Sequence, residues 1–252
     1  MNAAAEKRPL GTRWCKTGIA LAVIAVILTI VGLGGGRTGL LSGLNAFYAF
    51  GLGVLAFMLS VVINLIGLAL SKGTAGAASA AQTFAALFVG IVVLGAAMSQ
   101  WPESSGPPIH DLTTDVDNPP EFVAVIPLRA AAPNPPEYLD NGTAEKQKAA
   151  YPNLVTVIYD VPAAEAFAAA EQVVADMGWE LVAADLLDGR IEATDSTYWF
   201  GFKDDVVIRI GSDGERSFVD VRSKSRVGMG DMGTNAKRIE AFLNALSTKL
   251  GA

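Results

Sequence analysis

One cysteine and one histidine stand among 252 residues, and the two scarcities exclude several chemistries at once. Cys15 alone leaves no intrachain disulfide and no cysteine-based metal site. Its setting, Thr-Arg-Trp-Cys, lacks the small and aliphatic residues of a lipoprotein cleavage site, so the expectation is a buried juxtamembrane thiol. His110 alone falls short of a zinc ligand set, which takes more His or Cys. Ser196, Ser223 and Ser225 have neither a nucleophile-elbow setting nor a second histidine to serve them. Charge is also scarce, at 17% of residues, and it is uneven. Of 25 acids only Glu6 precedes Trp101, against six of the 19 bases (Lys7, Arg8, Arg13, Lys16, Arg37 and Lys72), which leaves the remainder with 24 acids and 13 bases, near −11. A tail that acidic is no general nucleic-acid binder, because phosphate contact needs positive surface.

What the chain has in excess is apolar: 51% of residues are hydrophobic and the mean hydropathy is +0.38, more than an ordinary soluble protein of this size carries. Residues 17–36, 44–70 and 81–100 contain no charged side chain. Each run reaches the ~20 residues that cross ~30 Å of hydrocarbon. The first run exceeds the ~7–15 residues of a signal-peptide core and two more follow it, so it reads as a retained span. Basic residues cluster before the first run, with Arg37 alone in the first loop and Lys72 in the second. Basic flanks stay in the cytoplasm. The expectation is therefore a cytoplasmic segment 1–16, a three-helix transmembrane region 17–100 and a C-terminal domain outside, in the periplasm of a bacterium, with Trp14 and Trp101 at the two interfaces. No ionisable group interrupts the runs, which disfavours a transporter. Asn64 is the deepest polar residue and should make an interhelical hydrogen bond, while Gly32 and Gly36 have the spacing of close helix packing.

Ten of the 12 prolines fall between Pro102 and Pro152. Proline fixes φ and removes a donor, so 101–150 reads as an extended linker. From residue 154 the pattern becomes regular. Residues 154–159 read as a strand. A helix follows Asp160, with Phe167, Ala170, Val174 and Met177 on one face and Gly178 to end it. Asp188-Gly189 and the run from Gly211 to Glu215 each join two strands as hairpins. A last helix begins near Thr234, with Ile239, Phe242, Leu243, Leu246 and Leu250 on one face. The reading for 151–252 is an α+β two-layer domain: a mostly antiparallel sheet of about five strands, covered by two helices.

Particular residues sharpen this. Asp204-Asp205-Val206-Val207-Ile208-Arg209, the run from Val219 to Gly228 (VDVRSKSRVG), the run from Asp231 to Ile239 (DMGTNAKRI) and the earlier Ile109-His110-Asp111-Leu112-Thr113-Thr114-Asp115 together resemble a bacterial and plastid domain-of-unknown-function family, number fourteen ninety-nine. The resemblance covers roughly residues 107–246, in order. It implies domain limits and hydrophobic N-terminal spans, and no chemistry.

The densest constellation is basic. Arg222, Lys224 and Arg226 alternate along a strand and so project from one face. Lys237 and Arg238 follow in the first turn of the last helix, beside Asn235, where cations oppose the helix dipole. One reading is a salt-bridge network in which Asp204, Asp205, Asp220, Asp195 or the Asp111/Asp115 segment supplies the counter-charge. The other is an anion site for a lipid headgroup, phosphate or carboxylate, helped by free N–H groups of the last helix. His110 with Asp111, Asp115 and Asp117 offers an acid/base alternative, with Asp204 and Asp205 as further carboxylates. The run Tyr198-Trp199-Phe200-Gly201-Phe202 suits strand-end packing better than a ligand platform. The functional expectation is a membrane-anchored periplasmic module, without enzymatic activity, cofactor or metal, whose partners are the bilayer, an anionic lipid or another membrane protein. The runner-up is an envelope enzyme.

Overall fold

A computed structural model describes residues 10–71, 77–98 and 106–252. The chain divides into two compact units, one of helices up to Trp101 together with Tyr198–Gly201, the other Pro102–Thr197 with Phe202–Ala252.

In the first unit α1 (Leu10–Arg37) and α2 (Gly43–Leu70) are 28 residues each, about 42 Å at 1.5 Å per residue. Both are long and apolar enough to cross a membrane. Apart from Gly35, their buried residues follow one rule. Gly11, Cys15, Gly18, Ala22, Ala25, Thr29, Gly32 and Gly36 on α1 alternate spacings of four and three, as do Ala46, Phe50, Gly53, Phe57, Ser60, Asn64 and Gly67 on α2. That is a heptad seam built of small residues, which lets the backbones meet. A Cβ added at Gly32 would stand 2.6 Å from Phe50 N, and one at Gly53 2.5 Å from Thr29 Oγ1. Cys15 is buried in the seam as expected.

The third expected span is helix α3 (Ala77–Met98), but its apolar stretch, Thr83–Gly95, is shorter than a crossing. Among the described residues two spans are therefore evident, not three. Asn64 makes the interhelical bond expected of it, its Oδ1 accepting from Thr83 Oγ1 at 3.3 Å while its Nδ2 donates to Ser60 O at 2.9 Å. The residues that set the expected orientation, Lys7, Arg8 and Lys72, and the interfacial Trp101 lie outside the described residues. Phe200 meets the rings of Phe47 and Phe50 edge-on, each 5.5 Å away, so this part of the aromatic run packs on α2 and not at a strand end.

The second unit is a six-stranded antiparallel sheet in the order β1-β6-β5-β4-β3. Its strands are β1 (Asp111–Thr113), β2 (Val157–Tyr159), β3 (Glu180–Asp185), β4 (Arg190–Ser196), β5 (Lys203–Asp213) and β6 (Arg216–Ser225). β1 and β2 share the outer edge of β6, opposite Arg222–Lys224 and Ser217–Val219 respectively. Helices α5 (Ala163–Asp176) and α6 (Thr234–Leu250) cover one face. There Val206, Ile208, Val219 and Val221 of the sheet join Phe167, Val174, Ile239, Phe242 and Leu246 in one core. Gly178 ends α5 in the left-handed conformation, as its position predicts.

The sheet has one strand more than expected, and the reason is the proline-rich segment. It supplies β1, a 3-10 turn (Ile126–Arg129) and α4 (Thr143–Ala150). Residues 107–150 are part of the domain and not a linker. Proline ends elements without preventing the residues between from pairing, and Leu112, Phe122 and Val125 are all buried. A fragment of residues 106–252 should accordingly unfold in one cooperative thermal transition, whereas 151–252 should show none, because it lacks β1 and what covers the second face. Cooperative melting of the shorter fragment would restore the linker.

Candidate functional site

Side-chain alternation decides which charges meet. On β6 the odd residues Val219 and Val221 face the helices, so Asp220, Arg222 and Lys224 face the other way. Cross-strand register then makes rows on that second face: Thr194, Asp205, Lys224 and Asp111 in one, Glu192, Val207, Arg222 and Thr113 in the next. These charged positions are buried beneath residues 119–138, which here form a strap.

Arg222 is 1% exposed. Its Nε and NH2 grip Asp111 at 2.8 and 2.9 Å, NH1 donates to Pro120 O at 3.0 Å and NH2 to Pro136 O at 2.9 Å. The guanidinium lies 4.7 Å from the Phe122 ring centre and 5.4 Å from that of Tyr138. Lys224 Nζ sits 3.0 Å from Asp111 and donates to Glu137 O at 2.7 Å. Burial lowers the Lys224 pKa, with Asp111 opposing. Burial and the nearby Asp111 charge push Tyr138 up to about 12.

Asp205 is fully buried and takes two cations, Arg226 at 2.7 and 2.9 Å and Arg129, with Thr194 Oγ1 donating at 2.7 Å. Burial alone would raise its pKa, but the hydrogen bonds from Arg226 and Thr194 and the charges of Arg226 and Arg129 outweigh it. The carboxyl is held below the ordinary aspartate range. Arg226 also donates to Leu128 O at 3.1 Å, and Arg129 to the carbonyls of Lys224, Asn134 and Ser225. Glu192, fully buried, accepts the N–H groups of Val123, Ala124 and Val125 at 2.9–3.1 Å.

On the helix side Arg238 reaches Asp204 at 2.7 Å and Asp195 at 2.8 Å, and donates to Asn235 Oδ1 and Ser223 Oγ. Burial works against its charge, but Asp204 and Asp195 outweigh it and raise the Arg238 pKa. Asn235 donates to Ser225 Oγ and His110 O. The free N–H groups expected at the start of α6 are met by Asp231, which accepts from Gly233 N and Asn235 N at 3.0 and 2.6 Å. Favourable charge for the helix dipole comes from the same residue.

The expected cluster is thus split over two faces. Arg222, Lys224 and Arg226 lie under the strap, Asn235 and Arg238 lie under α6, and Lys237 is exposed. Each buried cation has a carboxylate of the same domain, which is the salt-bridge network of the two readings. His110 and its carboxylates do not assemble: its Nδ1 lies 3.4 Å from Met229 O, Asp111 turns to Arg222, and Asp115 pairs with Arg209 at 2.9 Å. Asp204 and Asp205 point to opposite faces. Among the described residues no group of three or more His, Cys, Asp or Glu is placed to hold a metal ion. Sequence reasoning missed Arg129, whose signal was a charge isolated in an apolar setting, IPLR, and Glu192, which sits between Ile191 and Ala193 on a strand and also meets Arg190 at 3.1 Å.

Removing one member of such a pair strands the other. Arg222→Ala should destabilise the domain by about 3–5 kcal/mol, read by chemical denaturation. The acid limb follows from Asp205. Its pKa is depressed in the folded state, so its contribution is full above the unfolded aspartate value near ~3.9 and is lost as pH falls through the folded value. Asp205→Asn should therefore be less stable at neutral pH and flatter in its denaturation midpoint below about pH 4. Parallel acid limbs in parent and variant would show that Asp205 is not held low.

A comparison with curated proteins finds no match. One similar solved structure is that titled "Crystal Structure of CalU16 from Micromonospora echinospora", 14% identical over 38% of this chain and 73% of that one, with a TM-score of 0.27. The family model described as "Protein of unknown function (DUF1499)" matches residues 111–246, the interval that begins with β1 and ends within α6. The chain belongs to the DUF1499 family.

Proposed function

We propose that this protein is a membrane-anchored binding module, held by three spans in a bacterial cytoplasmic membrane with its N-terminus inside and its α+β domain in the periplasm, where it serves recognition or assembly and not catalysis. The observation that carries the non-catalytic part is the consumption of charge. The buried ionisable side chains that could have done acid/base work or held an anion, from Asp111 to Arg238, are engaged with one another or with the strap backbone. An active site keeps such a group available at a reacting position.

The anchor has its own support. α1 and α2 are apolar around their whole circumference and meet through a small-residue seam, the form helices take where lipid removes the hydrophobic drive between them. α3 packs with them through Asn64 and Thr83. Its apolar core is short, and a crossing helped by local thinning of the bilayer and by its flanks suits it. The orientation rests on the basic residues, four before the apolar run 17–36 against Arg37 alone between it and the next run. An accessory role in an envelope assembly fits a module with an anchor and no chemistry. A phosphate or lipid headgroup at the Arg222 cluster has less support, because the cations it would need already have carboxylates.

A reporter active only outside the cytoplasm tests the arrangement. Fused after Ala252 it should be active, and fused after Lys72 it should be silent. The opposite pattern would invert the orientation, and activity at both points would remove the third span.

A further inference from the structure

A groove of about 390 Å3 opens beside the sheet edge where the chain leaves β1 and returns in β2. That volume is in the ~300–1,000 Å3 range of small-molecule sites. It is separate from the ionic layer, and its two walls differ in kind. Tyr151, Pro152, Leu154 and Val155 make an apolar wall, and Thr114, Asp115, Asp117, Lys148 and Thr156 a polar one.

The polar wall is rigid and acceptor-rich. Thr114 and Thr156 both donate to Asp220 Oδ1, at 3.0 and 2.5 Å. Thr114 Oγ1 also accepts from Val221 N at 2.9 Å, so the exposed Thr156, its proton given inward, is the hydroxyl that offers lone pairs outward. Asp115 is fixed by Arg209 on one oxygen and by the N–H groups of Asp117 and Asn118 on the other. Gln147, fully buried, bridges the N–H and C=O of Thr113 and so holds α4 against β1. At the rim Lys148 and Asp117 stand 3.5 Å apart and largely exposed, one a donor and the other an acceptor. On the apolar wall the hydroxyl of Tyr151 lies against Gly106, where burial and the charges of Asp231 and Glu240 raise its pKa. Its ring, not its hydroxyl, is what the groove receives.

We propose that this groove binds a neutral saccharide segment of about one or two rings. A sugar ring has an apolar face and a rim of hydroxyl donors, which match the Tyr151 wall and the acceptor wall. Asp115, Asp117 and Asp220 outnumber Arg209 and Lys148, which pair with them, so the wall keeps a net negative charge that disfavours an anionic ligand, and Lys148 at the rim opposes a cationic one. The inference deepens the reading of the protein as a periplasmic recognition module, and it rests on that reading only for where the glycan is met.

The test uses the full chain in a detergent without a sugar headgroup, titrated with N,N′-diacetylchitobiose and maltotriose, and with a sulfated disaccharide as the anionic control. A neutral probe should bind with Kd of about 0.1–1 mM, and the sulfated one at least tenfold more weakly. Lys148→Ala and Tyr151→Ala should each weaken binding about fivefold or more, while Tyr151→Phe, which keeps the ring, should bind as the parent does. An unchanged thermal transition in Lys148→Ala keeps the result interpretable if Tyr151→Ala fails to fold. Absence of binding by both neutral probes, preference for the sulfated one, or binding untouched by Lys148→Ala would overturn the proposal. Each of these outcomes leaves the reporter result on topology standing.

Discussion

A segment rich in proline, laid across a sheet face, presents carbonyls with no neighbouring N–H to meet them, and buried carbonyls and amides must be paired. The rest of this domain is arranged around that constraint. Arg222 meets Pro120 O and Pro136 O, Lys224 meets Glu137 O, Arg226 meets Leu128 O, and Glu192 gathers three consecutive N–H groups. Charged side chains of the sheet do for the strap what a neighbouring strand would do for a regular one. Asp111 and Asp205 then neutralise the cations, and Asp111 itself belongs to the segment, as the first residue of β1. Buried ion pairs are weak evidence for net stability because desolvation offsets their attraction. What the pairs do is satisfy the strap's carbonyls and one another in the register observed.

A cluster of Arg, Lys and Asp in an acidic domain has the composition of a binding site, and only the rows set by strand register reveal that the charges face inward and face each other. In the membrane unit the corresponding constraint is steric. A seam of Gly, Ala, Ser and Thr lets α1 and α2 approach backbone to backbone, and its one deep amide, Asn64, is satisfied by Thr83.

Much of the fold is legible in the sequence. Period-two and period-3.6 patterns locate β3 to β6, α5 and α6, because each buries one face against a single core. β5 and β6 run longer than their apolar cores, since Asp204, Asp205, Ser223 and Lys224 also lie in the ladder and polar residues there read as loop. β1 is three residues whose pairing partner lies more than a hundred positions away, so no local signal marks it. The site was legible as a list of residues and not as an arrangement. That Asp204 and Asp205, the carboxylates of Arg238 and Arg226, lie on opposite faces follows from parity once the register is known, whereas Arg129 comes from a segment that composition alone assigns to a linker. Among the described residues α3 falls below the length of a crossing, since Thr83–Gly95 carries its apolar part.

Amide hydrogen exchange at Val123, Ala124 and Val125 tests the strap most directly. Val123 is 48% exposed, so an irregular surface segment would exchange there at the rate of an unfolded peptide. Pairing with Glu192 predicts instead protection at all three amides comparable to that of β5, lost selectively in Glu192→Ala while β5 and β6 remain protected. Fast exchange at these three positions in the parent protein would contradict the account.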